Sequence, residues 1–239
     1  MAYTDIDDPT IYFNTKLYTG NGSTQSITGV GFQPDWVWIK NRTAAENHFI
    51  FDSVRGALNV LKSNSNGAAG DTADSLTAFT SDGFNLGNLA DTNRSGNSVA
   101  SWNWKAGTSV SGTTTGSGTS KAYSGSVSTD AGFSIIGYVG NGTAGHTIPH
   151  HLGAVPKVII IKQRDNDGAW NMYNVNYGNG KAVELNTTSA LFNTDIFNNT
   201  TPTNSVFSVK TSGHVNTNNS NYIAYCFAEK QGYSKFGSY

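Results

Sequence analysis

The chain carries one pattern twice, and any fold assigned to it has to accommodate that repetition. Tyr18-Thr19-Gly20-Asn21-Gly22 returns as Tyr138-Val139-Gly140-Asn141-Gly142, 120 positions later. Pro34-Asp35-Trp36-Val37-Trp38-Ile39-Lys40-Asn41-Arg42 returns as Pro156-Lys157-Val158-Ile159-Ile160-Ile161-Lys162-Gln163-Arg164, 122 positions later. Val99-Ala100-Ser101-Trp102-Asn103-Trp104 is answered by Ile223-Ala224-Tyr225-Cys226-Phe227-Ala228, 124 positions later. An offset that drifts by a few residues predicts two copies of one domain separated by small loop insertions. The 239 residues suffice for two domains, each long enough to bury its own core.

Within each copy the signals are those of strands. Trp36-Val37-Trp38-Ile39 and Val158-Ile159-Ile160-Ile161 are short β-branched or aromatic runs bounded by proline and polar turns, as buried central strands require. Phe49-Ile50-Phe51, Phe84-Asn85-Leu86, Phe133-Ser134-Ile135-Ile136 and Val206-Phe207-Ser208-Val209 read the same way. Gly-Asn-Gly at 20–22 and 140–142 is a turn signature, because both residue types tolerate positive φ. Only Ala57–Lys62 hints at a helical turn, and Val60 argues equally for strand. The expectation is an all-β chain of two tandem jelly-roll-like antiparallel β-sandwich units arising from an internal duplication. Their predicted extents are 12–106 and 132–239, the second ending in an aromatic tail with Tyr233, Phe236 and Tyr239. Residues 107–131, rich in Gly, Ser and Thr, read as a linker. Residues 1–11 read as a polar arm in which Tyr3, Ile6 and Pro9 are candidate docking residues, with an ordinary disordered terminus as the alternative.

Composition narrows the function. The net charge is −1 and the basic residues are scattered, which removes the electrostatic case for nucleic acid. Three glutamates, Glu46, Glu184 and Glu229, leave few carboxylates for acid–base work, and no facing pair for glycoside hydrolysis is indicated. Cys226 is the single cysteine; lying between Tyr225 and Phe227, it reads as a buried small hydrophobe. The chain lacks an 18-residue apolar span, which predicts no membrane partner. Its first residues lack the regions of a signal peptide, predicting synthesis and folding in a cytoplasm.

Four groups of residues invite a chemical reading. Trp36 and Trp38, like Trp102 and Trp104, are two apart, so on a strand each pair shares one face. With Trp170 they are the candidates for an aromatic platform that stacks a sugar; the competing and preferred reading is sandwich core. In the second copy Val158 and Ile160 answer the first pair. Cys226 and Ala228 answer the second, or Tyr225 and Phe227 if the register slips by one. His146, His150 and His151 lie within six residues and could grip a metal. They flank a proline without a nearby carboxylate or thiol, so a surface turn is the expectation. Asp52-Ser53-Val54-Arg55-Gly56, with His48 upstream, contains the residue types of a hydrolase, but reads as a turn in which Asp52 caps amides and pairs with Arg55. We therefore expect no catalytic residues, no metal and no cofactor.

The repeated phrases resemble repeats in virion proteins of marine tailed phages. The residues that carry the resemblance are Tyr18-Thr19-Gly20-Asn21-Gly22, Gln33–Arg42, Phe51-Asp52-Ser53-Val54-Arg55-Gly56, Thr80-Ser81-Asp82-Gly83-Phe84 and Trp102–Gly107 in the first copy. In the second they are Asn199–Thr203, Tyr222–Glu229 and Gly232–Tyr239. The resemblance implies lectin-like β-sandwich domains in a non-enzymatic, tail-fibre-like or decoration protein on the particle exterior. The implied partners are other capsid or tail proteins and further copies of the chain. A carbohydrate-binding module for a bacterial surface glycan is the alternative.

Overall fold

The computed structural model describes residues 4–237 and is all-β, with 42% of the described residues in strands and 5% helical. It divides into two compact units, one of residues 8–106 and the other of residues 107–237 together with 4–7. The first holds a 3-10 turn (Pro9–Ile11), β1 (Phe13–Thr19), β2 (Gln25–Ile27), β3 (Trp36–Asn41), β4 (His48–Asp52), β5 (Asn59–Lys62), β6 (Gly70–Asp71), β7 (Leu76–Thr80), β8 (Gly83–Leu86), the short helix α1 (Ala90–Asn93) and β9 (Ser98–Trp104). Its long sheet runs β1-β9-β3-β4-β5-β6 and its short sheet β2-β8-β7, all neighbours antiparallel.

The second unit holds β10 (Thr108–Thr113), β11 (Thr115–Gly116), β12 (Ala122–Ser128), β13 (Phe133–Val139), β14 (His146–Pro149), β15 (Val158–Gln163), β16 (Asn171–Asn174), β17 (Lys181–Glu184), β18 (Phe192–Asn193), β19 (Val206–Val209), the short helix α2 (Gly213–Asn216) and β20 (Asn221–Phe227). Its long sheet runs β10-β12-β13-β20-β15-β16-β17-β18 and its short sheet β11-β14-β19. The last six positions of that long sheet reproduce the whole order of the first, with β13 standing where β1 stands. This shared order is compatible with the duplication that the sequence pattern predicts.

Each unit is sandwich-like because side chains alternate between the two faces of a strand. In the first, Val37, Ile39, Phe49, Phe51 and Val99 of the long sheet meet Ile27, Leu76, Phe84 and Leu86 of the short one. In the second, Ile136, Tyr138, Ile159, Ile161, Tyr222 and Cys226 meet Ile148, Phe207 and Val209. Burying such side chains contributes roughly 1.5–3 kcal/mol each.

The repeated Tyr-x-Gly-Asn-Gly phrase has a structural explanation. It ends β1 in the first unit and the equivalent β13 in the second, and clamps that unit's short helix. The Tyr18 hydroxyl donates to Thr92 O and the Tyr138 hydroxyl to Val215 O, both at 2.7 Å. The Asn21 amide donates to Asn93 Oδ1 at 3.0 Å, and the Asn141 amide to Asn216 Oδ1 at 2.9 Å. Glycine is required at 20 and 140: a Cβ there would stand 2.2 Å from Arg94 O and 2.3 Å from Thr217 O.

Two expectations about the ends of the units are corrected. Residues 107–131 are no linker, since β10, β11 and β12 lie there and Tyr123 and Val127 pack into the second core. Their small residues serve close strand approach: a Cβ on Gly125 would lie 2.4 Å from Ile135 O. Nor is the first segment a free arm. Thr4 Oγ1 donates to Gln231 O at 2.9 Å, the Asp5 amide donates to the same carbonyl at 3.1 Å, and Ile6 is buried. Ile6 is thus unavailable for docking. Pro9 is exposed in the 3-10 turn, which Asp8 caps by accepting from the Thr10 amide at 2.9 Å; Tyr3 lies outside the described residues. Asn59–Lys62 is strand, which resolves the open choice at Ala57–Lys62. In the aromatic tail, Phe236 packs with its ring centroid 6.1 Å from that of Phe227, whereas Tyr239 lies outside the described residues.

Candidate functional site

The four paired tryptophans share one surface, and it is not the inside of the sandwich. Val37, Ile39 and Val99 point inward, so Trp36, Trp38, Trp102 and Trp104, at the alternate positions of the same strands, project from the outer face of the long sheet. Cross-strand register places Trp36 opposite Trp104 and Trp38 opposite Trp102, with Phe13 of β1 completing the row against Trp104. Ring centroids are 4.7 Å apart for Phe13–Trp104, 4.5 Å for Trp36–Trp104 and 6.5 Å for the edge-on Trp38–Trp102 pair. Such tilted and edge-to-face contacts suit aromatic quadrupoles. Trp36 is 2% exposed and offers no surface, while Trp38, Trp102 and Trp104 are half-buried.

The spacing of two correctly places each pair on one face, but it cannot say which face when both are apolar. Phe13 escapes sequence reasoning because its strand alternates with Asn14 and Lys16 and carries no second large aromatic on that face. In the second unit Val158 faces Phe227 and Ile160 faces Tyr225. The equivalents of Trp104 and Trp102 are therefore Phe227 and Tyr225, the slipped register. Trp170 is fully buried, stacked on Tyr225 with centroids 6.4 Å apart, so it is removed as a ligand platform.

The titratable clusters are occupied in holding the fold. Arg55 and Asp52 form an ion pair at 2.5 Å with both side chains fully buried, and Asp52 Oδ1 also accepts from the Arg55 amide at 2.8 Å. Arg55 Nη1 donates to Asn59 O at 2.8 Å and its Nη2 to Ile50 O at 3.1 Å. Ser53 Oγ donates to Asp35 Oδ1 at 2.7 Å, and the other Asp35 oxygen accepts from the Ala106 amide at 2.9 Å. His48 sits edge-on to Trp38 at 6.4 Å. The residue types of a hydrolase are present, but they brace a turn.

The histidines are not the surface turn the sequence suggests. His146 and His150 are buried. His146 Nδ1 lies 2.9 Å from Asn216 Oδ1 and its Nε2 2.6 Å from Thr114 Oγ1. His150 Nδ1 accepts from the Leu152 amide at 3.2 Å, so Nε2 carries the proton and donates to Thr203 O at 3.1 Å. His151, at φ 58°, pairs instead with the Tyr123 hydroxyl at 2.8 Å. Among the described residues no three His, Cys, Asp or Glu side chains converge on a metal position. Lys162, also buried, donates to Gln163 O at 2.7 Å, and burial pushes its ammonium down to about 8. The Cys226 thiol is pushed up to about 12 by burial, which makes it unreactive.

His150 makes acid stability testable. Burial first, then the neighbouring His151, lowers its pKa from 6.5 to about 4, against the opposing bond to Thr203. Burial lowers His146 and His48 in the same direction. A depressed histidine pKa means that the unfolded chain binds more protons. Stability is thus fully present above about pH 6.5 and lost as pH falls toward 4, at up to about 1.4 kcal/mol per pH unit for one proton. Urea midpoints measured across that window should fall with pH, and His150→Gln should flatten the slope.

The chain matches, over residues 8–239, a family described as a domain of unknown function, DUF7483. The chain belongs to this family. The DUF7483 match begins where the first compact unit begins and runs through both, so the family's unit is the pair of sandwiches and not a single one. No curated protein and no solved structure matches the chain. Among the described residues of this DUF7483 protein no helix is long and apolar enough to cross a membrane.

Proposed function

We propose that the protein is a non-enzymatic structural component on the exterior of a tailed-phage virion, a capsid decoration, head fibre or tail-fibre-type subunit. It works through contacts with other virion proteins and further copies of itself. The observation that carries this reading is the use made of the chain's reactive side chains. Asp52, Arg55, His146, His150 and Lys162 are all buried in bonds that brace turns and strands. The repeated phrases that resemble phage virion proteins supply the location, with synthesis in the host cytoplasm. Many copies on a symmetric particle make weak individual contacts add up. Mass spectrometry of purified particles tests it: the protein should be present at structural copy number, and its absence from virions would remove the proposal.

The half-buried indoles of Trp38 and Trp102 on the outer face support a second reading, attachment to a bacterial surface glycan. The C–H faces of sugars stack on the π faces of aromatic rings, and the neighbouring Leu17 and Thr15 are exposed on the same side. If a glycan binds there, it should quench tryptophan fluorescence, and Trp102→Ala should weaken binding about tenfold. Trp170→Phe, at a buried position, should leave binding unchanged. Quenching that survives Trp102→Ala would place the glycan elsewhere.

A further inference from the structure

The equivalent strands β1 and β13 are treated differently by the two units, and the difference points to a self-association edge. In the second unit β13 is covered on its outer side by β12, which is covered in turn by β10. In the first unit the equivalent β1 pairs, among the described residues, with β9 alone and ends the sheet. Its seven residues include Leu17, 60% exposed, with Thr15 and Thr19 exposed beside it. The other ends of the long sheets are blunted. β6 and β18 are two residues each, and β10 presents Thr, Ser and Gly while its Val110 packs on the core. Short or polar edges are how sheets avoid unwanted pairing; β1 is seven residues long and carries the exposed Leu17 at its centre.

The backbone of β1 is poised for a partner. The Lys105 amide donates to Tyr12 O at 2.8 Å and the Gly20 amide to Asn97 O at 2.9 Å. With the antiparallel ladder alternating between them, Asn14, Lys16 and Tyr18 bond to β9, and Phe13, Thr15, Leu17 and Thr19 turn their N–H and C=O groups outward, the Thr19 carbonyl accepting there from Gln25 Nε2 at 3.1 Å. The side chains are self-complementary about Leu17. In an antiparallel pair of two β1 strands centred there, Leu17 meets Leu17 of the second copy and Thr15 meets Thr19 on the exposed face, while Tyr18 stays committed to Thr92 O on the inner face. Apolar and hydroxyl–hydroxyl pairs of this kind stabilise cross-strand contacts. A two-fold contact of this type uses the same patch on both subunits.

We infer that two copies of this chain pair antiparallel through β1, Leu17 against Leu17, joining their six-stranded sheets into one continuous sheet. The second copy is the chosen occupant because the strand is palindromic in its contacts, which an unrelated peptide has no reason to match. The inference deepens the self-association part of the proposed function and rests on that part alone. Five paired residues bury less than the roughly 1,000 Å² of a stable interface, so the free dimer is weak and crosslinking is the sensitive readout.

The test is disulfide trapping in the full-length protein, whose own cysteine, Cys226, is buried. Leu17→Cys places two sulfurs at a directly opposed pair, about 5.5 Å between Cα atoms, within disulfide reach. Under mild oxidation it should form covalent dimer about tenfold faster than Thr15→Cys or the surface control Ser189→Cys. Sedimentation of the wild type should show concentration-dependent dimer, and Leu17→Lys should abolish it. Equal crosslinking rates for the three cysteines, faster trapping at Thr15, or a wild type that stays monomeric at millimolar concentration would overturn the pairing. None of these outcomes touches the virion assignment, which stands or falls on the particle's composition.

Discussion

Asp52→Ala is expected to destabilise the first unit by about 3–5 kcal/mol, which is the cost of leaving one member of a buried ion pair alone. Arg55 cannot shed its proton, so its charge would remain in the interior without its counter-ion. Its bonds to Asn59 O and Ile50 O orient the guanidinium but do not neutralise it. The same substitution removes the acceptor of the Arg55 amide, which fixes the turn after β4. Exchanging both partners for apolar residues of similar volume, as in Asp52→Leu with Arg55→Met, should cost less than Asp52→Ala, because no charge is then stranded. Urea unfolding followed by tryptophan fluorescence is the appropriate measurement, since four of the five tryptophans report on this unit. A loss under 1 kcal/mol for Asp52→Ala would mean that water reaches Arg55 and that the pair is peripheral to the fold.

That ion pair was legible in the sequence, and the reason separates what can be read from what cannot. Asp52 and Arg55 are three residues apart in a turn, so local geometry alone brings them together. The strand runs at 36–39 and 158–161 were legible for a similar reason, since β-branched and aromatic side chains suit a pleated, buried surface. The end of the first unit at 106 is marked by the change to small polar residues at 107. What lies beyond it was not legible, because Gly, Ser and Thr serve a flexible linker and a closely packed strand equally well. Only the neighbour decides: Gly125 is glycine because β13 passes too close for a side chain. The outward direction of Trp38 and Trp102, the burial of His146 and His150, and the anchoring of Thr4 at Gln231 all depend on partners 32 or more positions away in the chain. Periodicity carries no information about such partners. Register was ambiguous by one residue at 223–228 until pairing with β15 fixed it.

Asn216→Ala should be as costly as the loss of Asp52, about 3–5 kcal/mol, without removing any charge. One buried amide there serves three groups. Its oxygen accepts from the Asn141 amide and lies 2.9 Å from His146 Nδ1, and its Nδ2 donates to Thr143 O at 2.9 Å. Truncation strands a buried backbone donor and an imidazole nitrogen, and takes the amide donor from Thr143 O; each group left unsatisfied costs about 1–3 kcal/mol. Asn93 does the equivalent work in the first unit, accepting from the Asn21 amide and donating to Ser23 O and Gly87 O. Asn93→Ala should therefore have a similar effect on its own unit. The two substitutions differ in one respect that identifies the mechanism. Only Asn216 touches a histidine, so only Asn216→Asp should restore stability preferentially at acid pH, where a carboxylate would favour protonated His146. Asn93→Asp should show no such recovery. Matched losses from the two alanines, with pH-dependent rescue confined to position 216, would establish the Gly-Asn-Gly clamp as the element that both units repeat because neither folds without it.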